Sequence, residues 1–402
     1  MNEFIERQVR LTWQPPKRSY DVVIVGGGGH GLAIAYYLAT RHGITNVGVF
    51  ERSYIGAGNS GRNTTVIRAN YGVPEAVRFY QHSLRLYRDL EGETGRSIMH
   101  RTKGLLWLAH TEMGLRGERA RAILNTACGA ETVFVEPDEV GRICPQLDLG
   151  GSGRHPILGA SYHPEGATAR HDRVVWAYAE GAMRLGAGIH QRTPVTGLIS
   201  DGARVTGVIT PGGPVSAGLV VSAVGGHATL LAAMAGVRLP IKTHPLQAFV
   251  TNHYRGTFDT IVASTELLFY ASQTPRGEML VGAEIERQPS YSNRSGYDFL
   301  QSCGGRAMAL LPFMRDLRLL RQWAGVCDMS PDYSPIMGYT GVEGFLITTG
   351  WGTWGFKAIP AGGEQMAELI AGGSTPPLIA PFNLDRFSQD RTLADRGSSG
   401  TH

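Results

Sequence analysis

The sequence predicts an α/β protein in which a Rossmann-like dinucleotide-binding domain is interleaved with a second, discontinuous α+β domain on a mixed or antiparallel sheet. Three observations carry that expectation. Residues 21–25 form a short β-branched run, followed by Gly26, Gly28 and Gly31 at G-x-G-x-x-G spacing and an amphipathic stretch over 32–40. A second apolar run, 47–50, ends in Glu51, twenty positions after Gly31. Nucleotide-type segments recur at both ends and in the middle of the 402 residues, with strand-rich segments between them; that length exceeds what one core usually supports.

Each part of the motif has a physical task. Gly26 permits a tight turn, Gly28 lets the backbone approach a pyrophosphate, and Gly31 lets the helix pack close to the strand. The helix N-terminus offers N–H groups and a partial positive charge to the phosphates. Glu51 accepts a hydrogen bond from an adenosine ribose and repels a 2′-phosphate, so the motif favours FAD or NAD over NADP without choosing between them.

The remaining elements follow in order. Residues 56–65 read as a polar, glycine-rich loop leading into 66–71. The spacing of Val77, Tyr80, Leu84, Tyr87 and Leu90 predicts a helix over 74–97, then a strand at 104–109 and mainly helical chain over 113–145. A turn at 162–167 precedes a helix that opens at Arg170-His171-Asp172 and runs to about Leu185. Segments 195–199 and 205–209 pair as a hairpin, and 218–226 is a strand ending in glycines. Residues 236–325 hold short strands (248–252, 267–271, 279–283) and a helix at 296–311. A strand at 345–350 runs into the aromatic turn 351–357 and a helix over 361–371. No internal repeat is present. The domain assignment is an N-terminal arm at 1–20 and a cofactor domain from 21–103, 156–235 and 326–388. A substrate domain takes 104–155 and 236–325, and a flexible tail 389–402.

Composition excludes several classes. With 42% hydrophobic and 18% charged residues the chain reads as an ordinary globular protein. A net charge of +4 without a dense basic block argues against nucleic acid and suits an anionic cofactor or substrate. Four scattered cysteines offer neither a disulfide framework nor a metal site, which points to a reducing cytoplasm. Residues 1–20 lack the apolar core of a signal peptide, and no apolar run is long enough to span a membrane.

The glycine motif with Glu51, the 61–71 loop, 221–226 and the 350–357 turn together resemble the FAD-dependent amine oxidases of the D-amino-acid oxidase and sarcosine oxidase superfamily, over about residues 20–385. Within it, the run Gly166-Ala167-Thr168-Ala169-Arg170-His171-Asp172 is most similar to the β subunits of heterotetrameric sarcosine oxidases. The resemblance implies a GR2-type FAD-binding domain, with FAD contacted by Gly26, Gly28, Gly31, Glu51, Arg52, Asn59, Ser60, Arg62, Asn63, Thr64, Val195, Gly225, Gly352, Gly355, Phe356 and Lys357. On residues alone Arg68 is a strand-end arginine and Lys357 a loop lysine ahead of its helix. The resemblance makes them the pair that grips the substrate carboxylate, with Tyr270 lining the pocket. Two cations would fix a small amino acid through that carboxylate, the arginine by its bidentate fork.

The resemblance also implies oxidative demethylation of sarcosine to glycine, with formaldehyde or methylenetetrahydrofolate and hydrogen peroxide formed. FMN would be carried covalently on His171, NAD and tetrahydrofolate on an α subunit, and γ and δ subunits would complete the assembly. Three departures matter. Gly325 stands where the monomeric enzymes attach flavin to cysteine, so FAD here is expected to bind noncovalently, and Cys327 reads as a buried small hydrophobe. Leu280 stands where those enzymes have a lysine that assists oxygen reduction, and Thr65 replaces a second arginine. His30 is read as pointing out of its turn. His227 and the Trp351/Trp354 pair remain without an assigned role. The alternatives are a β subunit of a proline, hydroxyproline or opine dehydrogenase, and a flavin-bearing electron-transfer subunit without its own substrate site.

Overall fold

The structure, a computed structural model, describes residues 15–393. The chain opens with β1 (Ser19–Val25), α1 (Gly29–His42) and β2 (Val47–Phe50), then β3 (Val66–Ile67), α2 (Pro74–Thr94), β4 (Arg101–Thr102) and β5 (Leu105–Ala109). Next come α3 (Glu112–Ala127), β6 (Val133–Val135), α4 (Pro137–Ile143), β7 (Gly159–His163), β8 (Ala167–Thr168), α5 (His171–Arg184) and β9 (Gly188–His190). The middle of the chain supplies β10 (Gly197–Ser200), β11 (Val205–Thr210), β12 (Gly213–Ser222), α6 (Ala228–Met234) and β13 (Lys242–His253). The last third holds β14 (Ile261–Ser264), β15 (Phe269–Gln273), β16 (Glu278–Ile285), α7 (Tyr297–Leu310), β17 (Leu319–Met329), β18 (Ile336–Tyr339), β19 (Phe345–Thr349) and α8 (Gly355–Gly372).

Two large sheets organise these elements. In the first, β12, β1, β2 and β9 run parallel side by side. The first half of β12 pairs antiparallel with β11, which continues to β10, while its second half pairs in parallel with β19. Parallel strands of this kind are buried on both faces. Accordingly Val22 and Ile24 join the core under α1, α2, α5 and α8, whereas Val23 and Val25 join an opposite core with Val208, Val220 and Leu231. The second sheet, ordered β17-β13-β16-β15-β14-β5-β7-β6, is antiparallel except where β14 meets β5. A small sheet, β3-β8-β4, lies at residues 66–67, 167–168 and 101–102.

Several boundaries differ from the sequence reading, each for a local reason. Helix α2 stops at Thr94 because Gly95 takes a left-handed conformation (φ 67°) whose N–H caps Glu91. The stretch 113–145 is not mainly helical throughout: Gly129 (φ 88°) ends the turn after α3, and the β-branched pair in β6 joins the second sheet. Helix α8 begins at Gly355, six residues early, so Lys357 sits in its first turn rather than ahead of it. Strands β14 and β17 and the short β6, β7 and β9 were not read from the sequence. β7 lies in the second sheet although residues 156–235 were given to the cofactor domain.

Residues 19–20 of the expected arm belong to β1, and residues 1–14 lie outside the described residues. At the other end, Arg386 and Asp332 form a doubly hydrogen-bonded pair (2.8 and 2.9 Å) with each side chain 1% exposed. Leu393 donates its N–H to the same carboxylate, so 389–393 is tied to the body of the protein; residues 394–402 lie outside the described residues.

Candidate functional site

A cavity of about 670 Å³ runs from the carboxyl ends of β1, β2 and β12 to the face of the second sheet. Its position follows from the fold: parallel strands end there, and ligands of open α/β sheets gather at that edge. Gly26 takes φ 114°, and a Cβ on it would stand 2.4 Å from the carbonyl oxygen of Ala223. A Cβ on Gly31 would stand 2.0 Å from the carbonyl oxygen of Gly26, so α1 meets its own turn at backbone distance. Helix α1 starts after Gly28 with no acid in its first turn, which leaves its positive end uncompensated. The Glu51 carboxylate is fixed by the N–H groups of Gly27 (2.9 Å) and Ser53 (2.8 Å), one on each oxygen, and keeps further acceptor capacity on the cavity wall. Turn, helix end and oriented carboxylate fit a dinucleotide with a free ribose hydroxyl.

The loop at 56–65 spends most of its side chains on its own shape. Ser60 accepts from the Gly29 N–H (2.9 Å), and Asn59 bridges to β17 through both the N–H and the carbonyl of Val326 (2.7 and 2.5 Å). Arg62 wraps onto the carbonyls of Ala57 and Gly58, and Asn63 holds Ser60 and Thr65. These residues line the cavity together with Thr64, Arg52, Val195, Gly225, Gly352, Gly355 and Phe356, while Gly31 and His171 do not.

The other end of the cavity is cationic. Arg68 follows β3 and is 3% exposed; its guanidinium lies over the rings of Tyr71 (4.2 Å) and Trp107 (4.5 Å). One nitrogen donates to the backbone and side-chain oxygens of Asn70 at 2.5 and 3.0 Å. The chain just after Arg68 is held from behind: the Ala69 N–H donates to His163 Nε2 (3.3 Å), while His163 Nδ1 lies 2.7 Å from the carbonyl of Glu131. Burial pulls the His163 imidazole down to about 4, so it is the neutral ring that can accept that bond. Lys357 donates to the Thr353 carbonyl (3.2 Å), and burial together with the charge of Arg68 holds its amine well below the usual lysine range.

Neighbouring groups are neutral or engaged. Burial pushes the Tyr270 phenol and the Cys327 thiol above their usual ranges. The Asp328 carboxyl, also raised by burial, accepts from Thr349 Oγ1 (2.8 Å) and the Trp351 N–H (3.2 Å). Two buried basic side chains beside such walls suit a small monoanion.

Other residues fall where the sequence did not put them. His30 points inward: it stacks on Trp351 (4.1 Å between ring centres), its Nε2 lies 2.9 Å from the Gly355 carbonyl, and burial lowers it to about 4. Trp354 is buried against Tyr71 and Tyr80, away from any partner surface, while Trp351 lines the cavity. His227 lies on the rim beside Arg52. Cys327 is buried as expected but belongs to the cavity wall; Gly325 also lines it, and Leu280 is buried off the lining. His171 opens α5, partly buried, where burial lowers its imidazole with Asp172 opposing and Arg170 adding to the shift. Trp107 and His163 went unread because each gains its role only from a contact distant in sequence. Asn70 went unread although it lies two residues from Arg68, because no local pattern marks it as the acceptor.

Residues 21–369 match the family described as FAD dependent oxidoreductase. Sarcosine oxidase subunit beta from Arthrobacter sp. is 40% identical over 384 residues, spanning 96% of this chain and 95% of that one. The subunit of the same name from Rhodobacter capsulatus is 40% identical over 385 residues, spanning 96% and 92%. Among solved structures, L-proline dehydrogenase from P. horikoshii superposes with a TM-score of 0.88 at 30% identity, covering 93% of this chain and 99% of that one.

Proposed function

The chain belongs to the FAD-dependent oxidoreductases, in the branch of sarcosine oxidase β subunits, and we propose that it oxidises sarcosine to glycine and formaldehyde, or to methylenetetrahydrofolate where tetrahydrofolate takes the one-carbon unit. It is a flavin-dependent oxidoreductase acting on CH–NH donors. The observation that carries the substrate reading is that Arg68 and Lys357 share one cavity with the glycine turn and Glu51.

The glycine turn, the end of α1, Glu51 and the loop at 56–65 would hold FAD without a covalent bond, because no nucleophile stands at Gly325. When bound, FAD supplies the hydride acceptor. The chain's own residues do the rest. Arg68 presents a fork already ordered by its aromatic neighbours, so a carboxylate is gripped at low entropic cost. Lys357 supplies a second cation whose protonation the bound anion restores. With the carboxylate fixed, the N-methyl carbon is held in one orientation and its oxidation becomes a nearly unimolecular event. The neighbouring thiol, phenol and Asp328 carboxyl are protonated or hydrogen-bonded, so the amine binds in its neutral form.

His171 is proposed to carry FMN through its ring, and its lowered pKa supports this because a neutral imidazole is the nucleophile such a bond requires. Partner α, γ and δ subunits, with NAD and tetrahydrofolate on α, and a cytoplasmic location complete the proposal. The overall reaction consumes water and oxygen and yields hydrogen peroxide. Anaerobic addition of sarcosine to the purified complex should bleach the flavin, and the denatured chain should carry the mass of FMN, lost in His171→Ala. An unbleached flavin would refute the substrate site, and an unmodified chain would refute the FMN assignment.

The similarity to a proline dehydrogenase favours one second reading, in which the same carboxylate grip serves a cyclic secondary amino acid. Steady-state rates with sarcosine, proline and hydroxyproline separate the two.

A further inference from the structure

Behind Arg68 lies a buried charge cluster that the proposed reaction does not use. Trp107 is shared by two guanidinium groups, Arg68 at 4.5 Å and Arg121 at 5.1 Å from its ring. Arg121, on α3, donates from Nε to Glu118 (3.0 Å), and the same carboxylate oxygen accepts from Ser161 on β7 (2.6 Å). Glu118 and Arg121 are 6% and 8% exposed, and Ser161 is fully buried. A buried ion pair of this kind adds little net stability compared with apolar residues of the same volume, yet its charges act over long range through the low-dielectric interior. Burial raises the Glu118 carboxyl above the usual range, while Arg121, the Ser161 hydroxyl and Arg68 favour its charged form, so Glu118 and Arg68 are near enough to be coupled. Arg68 lines the cavity, as Lys357 does, while Arg121 and Glu118 lie behind it.

We infer that Glu118 is the counter-charge that sets the anion affinity of Arg68, a positioning residue that moderates substrate binding instead of strengthening it. The inference rests on the reading of Arg68 as the carboxylate anchor. Its logic is a matter of sign. The Arg68, Arg121 and Glu118 charges sum to one positive unit. Removing the carboxylate charge raises that to two and tightens the hold on an anion; removing the Arg121 charge lowers it to zero and loosens the hold. A purely structural role for the pair would make both changes loosen it. The benefit of moderation is release: an amino-acid product carries the same carboxylate as its substrate, so an overly tight grip slows turnover.

The test uses the holo-complex and acetate, a monocarboxylate with no amine to oxidise, with Kd read from the change in the flavin absorption spectrum. For E118Q, which preserves shape, Kd should fall about three- to tenfold, the range set by one unit of charge at an effective dielectric of about 20. For R121M it should rise by a similar factor, and R121K should restore it. Unchanged or weaker acetate binding in E118Q overturns the inference. Should E118Q not accumulate as holoprotein, the other pair decides: loss in R121M that R121K repairs supports the inference, and equal behaviour of the two overturns it. Arg68→Lys keeps the failures apart. Acetate binding that ignores this substitution removes the carboxylate anchor and the inference with it. Binding that depends on Arg68 but not on Glu118 removes the inference alone.

Discussion

Arg68→Lys is the substitution that separates charge from geometry. Lysine keeps the unit charge but offers no planar fork and stacks less well on an aromatic face. In the structure the guanidinium holds both oxygens of Asn70 and rests on two rings. A lysine at this depth retains at most one of the hydrogen bonds and part of one ring contact. Hydrogen bonds to a charged group contribute about 1.5–3 kcal/mol, and a buried cation–π contact about 1–2 kcal/mol. A stability loss of about 2–4 kcal/mol follows, measurable by denaturant unfolding of the apo- and holoprotein. For the ligand, replacing a two-point by a one-point grip removes one charged hydrogen bond, so Kd for acetate should rise about 10- to 100-fold. Titration of the flavin spectrum reads that number directly. An Arg68→Lys protein with unchanged acetate affinity would show that the fork does not face the ligand, and the assignment of this end of the cavity would fall.

Four further outcomes are expected. Gly31→Ala places a methyl group 2.0 Å from the Gly26 carbonyl, so α1 must retreat by about 1 Å from its turn; the flavin-to-protein absorbance ratio should drop sharply. Gly92→Ala, in the last turn of α2 with open space around the added methyl, should leave that ratio unchanged and stabilise by a few tenths of a kcal/mol to about 1 kcal/mol. Lys357 has a depressed pKa that a bound carboxylate raises, so binding takes up a proton once pH exceeds the free-state value. Acetate affinity should therefore fall as pH rises through that value and flatten in Lys357→Met, since Tyr270 and Cys327 titrate above their usual ranges. An unaltered pH profile in the variant would count against Lys357 as the second cation. Asp332→Asn breaks the fully buried pair with Arg386 and leaves a charge without its partner; a loss of about 3–5 kcal/mol is expected in unfolding experiments, with acetate Kd unchanged.

The parts legible from sequence were those fixed by local chemistry. A β-branched strand, a turn that needs glycine and an acid at a set distance describe one βαβ unit, and the backbone permits few other arrangements of those residues. The amphipathic helix at 74–94 was legible for the same reason: its apolar residues repeat with the period of a helix. Resemblance, not periodicity, singled out Arg68 and Lys357. Boundaries failed where a single residue decided them, as at Gly129, or where tertiary packing extended an element, as at the start of α8.

Sequence by itself therefore determined the dinucleotide-binding unit and the class of ligand that its positive helix end accepts. Only the tertiary structure decided what surrounds Arg68: the rings of Tyr71 and Trp107, the neutral imidazole of His163, the Glu118–Arg121 pair and Lys357 from the far end of the chain. The division has one physical cause. Backbone turns and helical periods are set by neighbours along the chain, whereas desolvation and charge coupling depend on what folding brings within a few ångströms.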